Sequence, residues 1–421
     1  MATEIVTFGC RLNSSETEII RQKSEKAGLH ALPGESIIFN TCAVTAEAVR
    51  KAKQAIRKAR RQNQKARIIV TGCAAQTAFQ DFSSMHEVDL VLGNEEKLHT
   101  SSYRYFPDFG IRHMEKVHVN DIMQVRQNAP HMVDLMEGKT RAFVQVQNGC
   151  DHRCTFCIIP YGRGPSRSVP PGAVVEQIKK LTQNGYKEVV LTGVDLTSYG
   201  PDLPGKISLG KLVASILRNV PDLPRLRLSS LDSMEIDEEL FDLLSYQKRL
   251  MPYLHLSLQS GDNIILKRMK RRHQRGDIVH FCQNLRSKRP NIVFGADLIA
   301  GFPTESDSMF EKTRTLIHEC HLTQLHIFPF SPRLGTPAAR MPQIKREIIK
   351  ERASVLRNEG KKAYLKHLET LRSTYQNILI EKDGIGRCED YTLVKINKAR
   401  TGTIIRSKIL SHDGEKLRIN H

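Results

Sequence analysis

The stretch Cys150-Asp-His-Arg-Cys154-Thr-Phe-Cys157 decides how the rest of the chain is interpreted. Three thiolates at this spacing can hold three irons of a 4Fe-4S cluster and leave the fourth iron open for a small chelating cofactor. An electron-transfer cluster uses four cysteines, and a structural zinc site closes all four ligand positions. The isolated triad therefore favours chemistry at a vacant iron. Zinc is the alternative, because His152 could complete a tetrahedron.

A second set of cysteines follows three short β-branched, apolar runs. These are Cys10 after residues 4–9, Cys42 after residues 36–41 and Cys73 after residues 66–72. Such runs predict buried parallel strands, and helical stretches separate them. The carboxyl ends of parallel strands meet at one edge of a sheet, so we expect the three cysteines to converge there. The alternative is three unrelated buried thiols.

Composition and charge limit the class of protein. The 421 residues suffice for two or three domains, and 40% hydrophobic with 26% charged residues is typical of globular chains. An apolar run long enough to span a membrane is missing from the sequence, as is the basic start of a signal peptide. We therefore expect a cytoplasmic protein with no membrane partner. Nine cysteines, six at loop positions suited to metal, indicate reduced thiols and cluster ligation.

The net charge of +19 predicts a phosphate-rich partner. Between Arg50 and Arg67 there are nine Lys or Arg and no acid, with alanines at helical spacing. A second basic run spans residues 267–272, and basic residues also outnumber acidic ones over residues 341–421. Each run alone could be a solvated face, but together they favour RNA or DNA. The candidate RNA-binding residues are Arg57, Lys58, Arg60, Arg61, Lys270 and Arg272.

The order of predicted elements indicates an α/β protein with three parts. Residues 1–105 form a parallel α/β domain with a fourth strand at 88–93, and residues 106–138 form a linker. Residues 139–372 alternate strands with helices six times, which predicts a partial (β/α)6 barrel. Residues 373–421 contain short β-like runs that predict a small antiparallel barrel holding RNA, with a purely structural tail as the alternative. The six barrel strands are expected at 141–147, 188–192, 225–230, 253–259, 292–299 and 323–328.

These motifs together resemble one family over nearly the full chain. The triad after the first barrel strand is similar to that of the radical S-adenosylmethionine superfamily. With the further motifs, the chain resembles the methylthiotransferases of that superfamily, whose last domain is a TRAM barrel that binds RNA. The further motifs are Gly9-Cys-Arg-Leu-Asn13, Asn40-Thr-Cys42, Thr71-Gly-Cys73, Ile158-Ile-Pro-Tyr-Gly-Arg-Gly164, Gln259-Ser-Gly261 and Phe328-Pro-Phe-Ser-Pro332.

The resemblance implies two 4Fe-4S clusters and S-adenosylmethionine as cofactors. One cluster would lie on Cys150, Cys154 and Cys157 and would cleave S-adenosylmethionine to a 5'-deoxyadenosyl radical. The second, on Cys10, Cys42 and Cys73, would carry the sulfur to be inserted. No catalytic residue is implied beyond these ligands. The cofactor-binding candidates are Gly193, Asp195, Ser229, Gln259, Arg271 and Gly301, with capping or loop hydrogen bonding as the alternative for the polar ones. Asn13 and Glu16 are either local turn and helix-start residues or cluster surroundings.

The sequences of residues 150–168 and of Leu191-Thr-Gly-Val194 are similar to those of the methylthiotransferase branch that acts on N6-threonylcarbamoyladenosine in tRNA. The implied partners are a tRNA anticodon stem-loop, a low-potential electron donor of flavodoxin or ferredoxin type, and a sulfur source. The alternative substrates are isopentenyladenosine in tRNA and an aspartate of a ribosomal protein. The alternative from another class is an RNA-binding zinc protein without enzymatic activity.

Overall fold

The computed structural model describes residues 3–104, 106, 115–126, 140–382, 384–397 and 399–419. The chain forms two compact units, and the first consists of Met1–Val133, Asn148–Arg167 and Ser331–Thr336. The second consists of Asp134–Gln147, Ser168–Phe330 and Pro337–His421. The cysteine triad thus belongs to the same compact unit as the amino-terminal region. Much of the predicted linker at 106–138 lies outside the described residues.

The helices and strands, in chain order, have the following bounds. The helices are α1 (Arg11–Lys26), α2 (Ala46–Gln62), α3 (Cys73–Thr77), α4 (Phe79–Ser83), α5 (Ile159–Arg163), α6 (Pro171–Gln183), α7 (Leu209–Asn219), α8 (Glu238–Tyr246), α9 (Asn263–Arg268), α10 (Arg275–Lys288), α11 (Asp307–Glu319) and α12 (Arg346–Leu371). The strands are β1 (Thr3–Thr7), β2 (Ser36–Thr41), β3 (Arg67–Gly72), β4 (Leu90–Leu92), β5 (Val117–His118), β6 (Arg141–Gln145), β7 (Gln147–Asn148), β8 (Arg167–Ser168), β9 (Glu188–Thr192), β10 (Arg225–Leu228), β11 (Tyr253–Gln259), β12 (Val293–Ala300), β13 (Leu322–Pro329), β14 (Tyr375–Ile380), β15 (Ile385–Cys388), β16 (Leu393–Lys395), β17 (Ile404–His412) and β18 (Leu417–Ile419).

The first unit is built on a parallel sheet in the order β1-β2-β3-β4-β5. Every residue of β2 is buried, as expected for a strand covered on both faces. Thr45 caps α2 by accepting the Ala48 N–H, and Ala52 and Ile56 form the buried stripe of this helix. The predicted parallel α/β domain is confirmed, with β5 as an additional edge strand.

The second unit contains six strands that neighbour one another in chain order. Parallel sheets β10-β9-β6 and β11-β12-β13 are joined by the parallel bridges Leu226–Leu250 and Leu231–Leu256. A helix follows each strand, the last of them α12 after β13. Leu254, Leu256 and Leu258 of β11 are fully buried, and side chains at alternate positions point to the opposite face. The predicted partial (β/α)6 barrel is confirmed.

The end of the chain forms a closed barrel in the order β14-β15-β16-β18-β17. Its core joins Leu368 of α12 to apolar side chains of the strands, including Ile378, Ile409 and Leu417. The sequence predicted a small antiparallel barrel but missed β15 and β18. The short β18 completes the barrel by pairing with both β16 and β17. Among the helices that the structure describes, none is long and apolar enough to cross a membrane.

Candidate active site

The carboxyl ends of β1, β2 and β3 bring Cys10, Cys42 and Cys73 together. A Cβ added to Gly9 would lie 2.8 Å from the Cys42 Sγ, and Gly9 has a φ of +97°. A Cβ on Gly72 would lie 2.3 Å from the Thr41 carbonyl oxygen. The loops before and after these cysteines therefore pack against each other, and only glycine fits at both positions.

The environment of the three thiols differs. Cys10 is exposed, whereas Cys42 and Cys73 are buried. Burial, together with the nearby Cys73, raises the pKa of Cys42 to about 12. The thiol form is favoured in this pocket, so a cation bound there would displace protons. Three cysteines that converge at one edge of the sheet fit the ligand set of an iron-sulfur cluster.

Arg163, the last residue of α5, contacts this cysteine pocket inside the first unit. Its side chain is 2% exposed, and its Nε donates to the Cys73 Sγ at 3.0 Å. The same guanidinium donates to Asn13 Oδ1 at 2.6 Å and to both carboxylate oxygens of Glu16. A buried guanidinium with a carboxylate partner stays charged, so Arg163 aims positive charge at a ligand sulfur.

Glu16 connects Arg163 to a second buried cation. The Lys97 Nζ donates to Glu16 Oε2 at 2.7 Å and to Asn94 Oδ1 at 2.7 Å. Burial alone would raise the pKa of Glu16, but Arg163 and Lys97 lower it to about 2. Asn94 Nδ2 in turn lies 3.6 Å from the Cys73 Sγ. Glu16 therefore belongs to the surroundings of Cys73 through its contact with Arg163, and its place beside a cluster stays a prediction.

The loop that carries Cys150, Cys154 and Cys157 is held by its own backbone. The Cys150 N–H donates to the Gly164 carbonyl at 3.1 Å, and the Cys157 N–H donates to the Cys154 carbonyl at 3.0 Å. Gly149 has a φ of +73°, and a Cβ there would lie 1.8 Å from the Pro165 carbonyl oxygen. All three thiols are half-buried. A rigid loop with three partly accessible thiols fits a cluster that keeps one iron open.

Two of the cofactor-binding candidates have features expected of a ligand site. Ser229, directly after β10, is buried, and its Oγ has no hydrogen-bond partner among the described residues. A buried hydroxyl without a hydrogen-bond partner destabilises the folded state by about 1–3 kcal/mol, unless a ligand or a water molecule bonds to it. Gln259 ends β11 with a φ of +67°, a strained conformation that concentrates at functional sites. Both residues fit a polar ligand at the carboxyl ends of the barrel strands.

Gly193 and Asp195 both contact Gln147, the first residue of β7. A Cβ on Gly193 would lie 2.8 Å from the Gln147 Oε1, which also accepts the Asp195 backbone N–H at 2.9 Å. The Asp195 carboxylate accepts from the Ser198 hydroxyl at 2.9 Å. These contacts hold the loop after β9, and binding of a cofactor by Asp195 stays a prediction.

Arg271 and Gly301 have structural partners within the second unit. Arg271 is largely buried and donates to the Asp232 carboxylate at 2.8 Å and to the Ser257 carbonyl at 2.7 Å. A Cβ on Gly301 would lie 2.6 Å from Ile349 of α12, so packing against this helix already requires a glycine. Their predicted contacts with the cofactor stay predictions.

Of the basic residues predicted to bind RNA, one is held by partners within the protein and the others are exposed. Arg60 is 16% exposed and donates to the Asp89 carboxylate at 2.6 Å and to three backbone carbonyls. It therefore stabilises the first unit, and its availability to RNA is low. Arg57 lies 3.8 Å from Glu87, and the exposed Arg272 pairs with Glu235. The candidates that are exposed in the structure are Arg57, Lys58, Arg61, Lys270 and Arg272.

Sequence reasoning assigned no role to Arg163, Asn94 or Lys97, which the structure places around Cys73. The signal for Arg163 was its position six residues after Cys157 in the motif Pro160-Tyr-Gly-Arg-Gly164. For Lys97 the signal was weaker, because a lysine in a short helical turn is usually solvated. Both are buried cations, which only the tertiary structure reveals.

Two family profiles match the chain: the radical SAM superfamily over residues 144–317 and the uncharacterized protein family UPF0004 over residues 2–93. One similar solved structure is that of the radical S-adenosylmethionine methyltransferase TsrM from Kitasatospora setae, with cobalamin and a [4Fe-4S] cluster bound. Its TM-score to this chain is 0.55, and the two sequences are 14% identical. The match covers 80% of this chain and 77% of TsrM. The cobalamin-dependent S-adenosylmethionine radical enzyme OxsB has a TM-score of 0.51 and 12% identity over 87% of this chain and 56% of that one. These structures share the fold. With the triad and the profile, the fold defines a radical S-adenosylmethionine enzyme.

Curated relatives identify the family within this class. The threonylcarbamoyladenosine tRNA methylthiotransferase MtaB of Rickettsia prowazekii (strain Madrid E) is 52% identical over 408 residues, covering 97% of this chain and 94% of that protein. The protein of the same name from Thermotoga maritima is 34% identical over 97% of this chain and 95% of its own length. The chain belongs to the methylthiotransferase family of radical S-adenosylmethionine enzymes. The predicted family and enzyme class are confirmed, and the cofactors are 4Fe-4S clusters and S-adenosylmethionine.

Proposed function

We propose that the enzyme converts N6-threonylcarbamoyladenosine next to the anticodon of tRNA into its 2-methylthio derivative. The observation that carries this proposal is the 52% identity, over nearly the whole chain, with a relative named for that substrate. A relative named tRNA-2-methylthio-N(6)-dimethylallyladenosine synthase, from Orientia tsutsugamushi (strain Ikeda), is 32% identical over 90% of this chain. The higher identity supports threonylcarbamoyladenosine over the isopentenylated base as the substrate.

Two clusters would divide the work between the two cysteine sets. Cys150, Cys154 and Cys157 would hold the cluster at which S-adenosylmethionine supplies a carbon-centred radical when it is bound. Cys10, Cys42 and Cys73 would hold the second cluster, which carries the sulfur group. The chain contributes the surroundings of that second cluster: Arg163 and Asn94 direct N–H groups at the Cys73 sulfur, and Glu16 fixes the guanidinium. Hydrogen bonds to ligand sulfurs adjust the reduction potential of such clusters.

The remaining candidates would hold the cofactor at the barrel. The Ser229 hydroxyl needs a partner, and it lies at the carboxyl end of a barrel strand, where ligands bind in such folds. The strained end of β11 at Gln259 is the second candidate contact. Gly193, Asp195, Arg271 and Gly301 would shape the walls of this site.

Partners of the enzyme follow from its charge and chemistry. The exposed face of α2 offers Lys58 and Arg61 for the tRNA backbone, and Lys270 and Arg272 form a second candidate contact. Bases in an anticodon loop are accessible to an enzyme in a way that paired bases are not. A low-potential electron donor of flavodoxin or ferredoxin type and a sulfur source would complete the reaction.

The decisive assay uses reconstituted full-length enzyme, S-adenosylmethionine, a reductant and two otherwise matched tRNA anticodon arms. One arm carries threonylcarbamoyladenosine and the other carries isopentenyladenosine. We expect mass spectrometry of the digested nucleosides to show methylthiolation of the first arm only. Thiolation of only the isopentenylated arm would overturn the proposed substrate. Colourless protein that contains zinc after anaerobic purification would overturn the proposed chemistry.

A further inference from the structure

Three potential metal ligands lie close together on neighbouring strands of the second unit. His255 is on β11, Asp297 on β12 and His326 on β13. The His255 Nε2 and the His326 Nδ1 lie 2.9 and 3.1 Å from the same oxygen, Asp297 Oδ1. One nitrogen from each imidazole and one carboxylate oxygen all lie within 4.8 Å of one another.

These distances fit a metal ion bound by two histidines and one carboxylate. Ligand atoms at 2.0–2.1 Å from a metal and at right angles to each other are separated by about 3 Å. The two nitrogen-to-oxygen distances have this value. The centroids of the two imidazole rings are 4.4 Å apart, so the rings lie side by side at the carboxylate. Two histidines and a carboxylate on one face of a metal leave further positions open.

A second layer of contacts orients His255 in the manner of a metal ligand. The other ring nitrogen, Nδ1, lies 2.9 Å from the Tyr253 hydroxyl, which leaves Nε2 directed at Asp297. Gly295, the register partner of His255 on β12, makes this arrangement possible. A Cβ there would lie 2.3 Å from the tyrosine hydroxyl and 2.8 Å from the imidazole Nδ1. The backbone therefore leaves the space that the tyrosine and the imidazole occupy.

The position of the cluster allows a metal to enter. His255 is buried and Asp297 is 20% exposed at its side chain, whereas the side chain of His326 is 62% exposed. These residues lie on the face of the sheet opposite Leu254 and Leu325, and Leu325 packs against Gly360 of α12. An exposed third ligand can swing outward to admit the ion and then close on it.

We propose that His255, Asp297 and His326 form a binding site for a divalent first-row transition cation. The cation is a single ion bound by nitrogen and oxygen, separate from the iron-sulfur clusters. The two histidines bind as neutral imidazoles, and Asp297 supplies one negative charge. Tyr253 is a positioning residue for His255. The alternative is a triad held only by hydrogen bonds, and the test separates the two.

The test is a titration of the reconstituted holoenzyme with Mn²⁺, followed by electron paramagnetic resonance of the free aqua ion. The clusters are kept oxidised, a state in which a 4Fe-4S centre is diamagnetic. We expect wild-type enzyme to remove one Mn²⁺ per chain from solution more tightly than Asp297→Asn or His326→Ala, by at least tenfold. Tyr253→Phe keeps the ring but loses the hydroxyl, and should weaken Mn²⁺ binding by about tenfold.

His280→Ala is the matched control, because His280 is an exposed histidine on α10 of the same unit. It should bind Mn²⁺ as wild type does. Iron content and the melting temperature of each variant show whether it has folded and holds its clusters. Equal Mn²⁺ uptake by folded wild-type and Asp297→Asn enzyme overturns the proposal and leaves a hydrogen-bonded triad. Unchanged affinity in Tyr253→Phe would remove the positioning role alone.

Discussion

The Arg163 Nε lies 3.0 Å from the Cys73 Sγ, so a residue that follows the triad of Cys150, Cys154 and Cys157 donates a hydrogen bond to a cysteine of the amino-terminal set. The residue that makes this contact lies six positions after Cys157 in the sequence. Helix α5 begins two residues after the triad. The triad, α5 and the amino-terminal set of Cys10, Cys42 and Cys73 all belong to the first compact unit. Arg163 thus links the segment that follows the triad to the amino-terminal cysteine set, because its side chain donates to Cys73.

Replacing Arg163 by lysine tests this contact. Lysine keeps the charge but has no rigid fork of donors, so it cannot serve Cys73, Asn13 and Glu16 together. We expect the cluster on Cys10, Cys42 and Cys73 to titrate at a lower potential, while cleavage of S-adenosylmethionine at the other cluster persists. Redox titration followed by electron paramagnetic resonance measures both centres. Arg314→Lys, at an exposed arginine, is the control, and an identical potential in both variants would contradict the role of Arg163.

Single cysteine replacements should separate the two clusters. Cys154→Ala is expected to abolish formation of 5'-deoxyadenosine, whereas Cys42→Ala should retain it and lose sulfur insertion. Iron should fall from roughly eight to roughly four atoms per chain in each variant. The control is Cys282→Ala, because this thiol is on the buried face of α10 and belongs to neither cysteine set. Equal loss of both activities in Cys42→Ala would refute the division of labour.

The buried Glu16 should make stability depend on pH. Its pKa is about 2 in the folded protein against an ordinary value of 4.5, so its contribution is fully present above pH 4.5 and is lost as the pH falls towards 2. The contribution is about 3 kcal/mol. Glu16→Gln should lower the free energy of unfolding most at neutral pH, and the difference from wild type should narrow below pH 4.5.

Urea unfolding at several pH values measures this difference. Glu311→Gln is the matched control, because Glu311 pairs with Arg314 on the surface and such pairs contribute little. A Glu16→Gln effect that is constant from pH 7 to pH 3 would show that Glu16 does not stabilise the fold through its charge.

The exposed face of α2 should contribute to tRNA affinity. Lys58→Ala together with Arg61→Ala removes two exposed charges and leaves the buried stripe of the helix intact. We expect weaker binding, and the slope of log K against log salt should fall by about 1 for each phosphate that the variant no longer neutralises. Lys180→Ala with Lys187→Ala removes two exposed charges from the second unit as the control. Equal slopes for the two double variants would exclude α2 from the tRNA interface.

Tyr391 should anchor the carboxy-terminal barrel within the second unit. Its ring stacks on Tyr253 at 5.1 Å and lies 4.2 Å from the Arg387 guanidinium and 5.2 Å from that of Arg227. Tyr391→Ala should therefore destabilise the protein by about 3 kcal/mol, and Tyr391→Phe by about 1 kcal/mol or less. Tyr375→Ala, an exposed tyrosine of the same barrel, should change the melting temperature little. Equal melting temperatures for both alanine variants would contradict the anchoring role.

The carboxy-terminal barrel is also held within the second unit by buried charged side chains. Glu188 is fully buried, with Arg227 at 2.8 Å and Arg225 at 3.6 Å. Both arginines also donate hydrogen bonds to backbone carbonyls of the carboxy-terminal barrel, such as the carbonyl of Arg387. The structural alternative for this domain therefore has direct support, and it does not conflict with a role in binding RNA.

The sequence by itself determined the strands, the parallel sheets and the cysteine positions, because these follow from local patterns of apolar residues and from the rule that parallel strands end at one edge. β9 and β11 were predicted to the residue, and the cysteines of β2 and β3 lie where that rule places them. Strands β5, β8, β15 and β18 were missed, because each has only two to four residues and so shows too short a pattern of apolar residues to be recognised.

Only the tertiary structure decided which charged side chains leave the solvent. Arg60, Lys97 and Arg163 have the same local signature as exposed cations, but each finds its carboxylate partner 29 to 147 residues away. The cluster of His255, Asp297 and His326 likewise depends on strand register, which no local pattern specifies. Burial of a charge depends on long-range partners, and these exist only once the chain has folded.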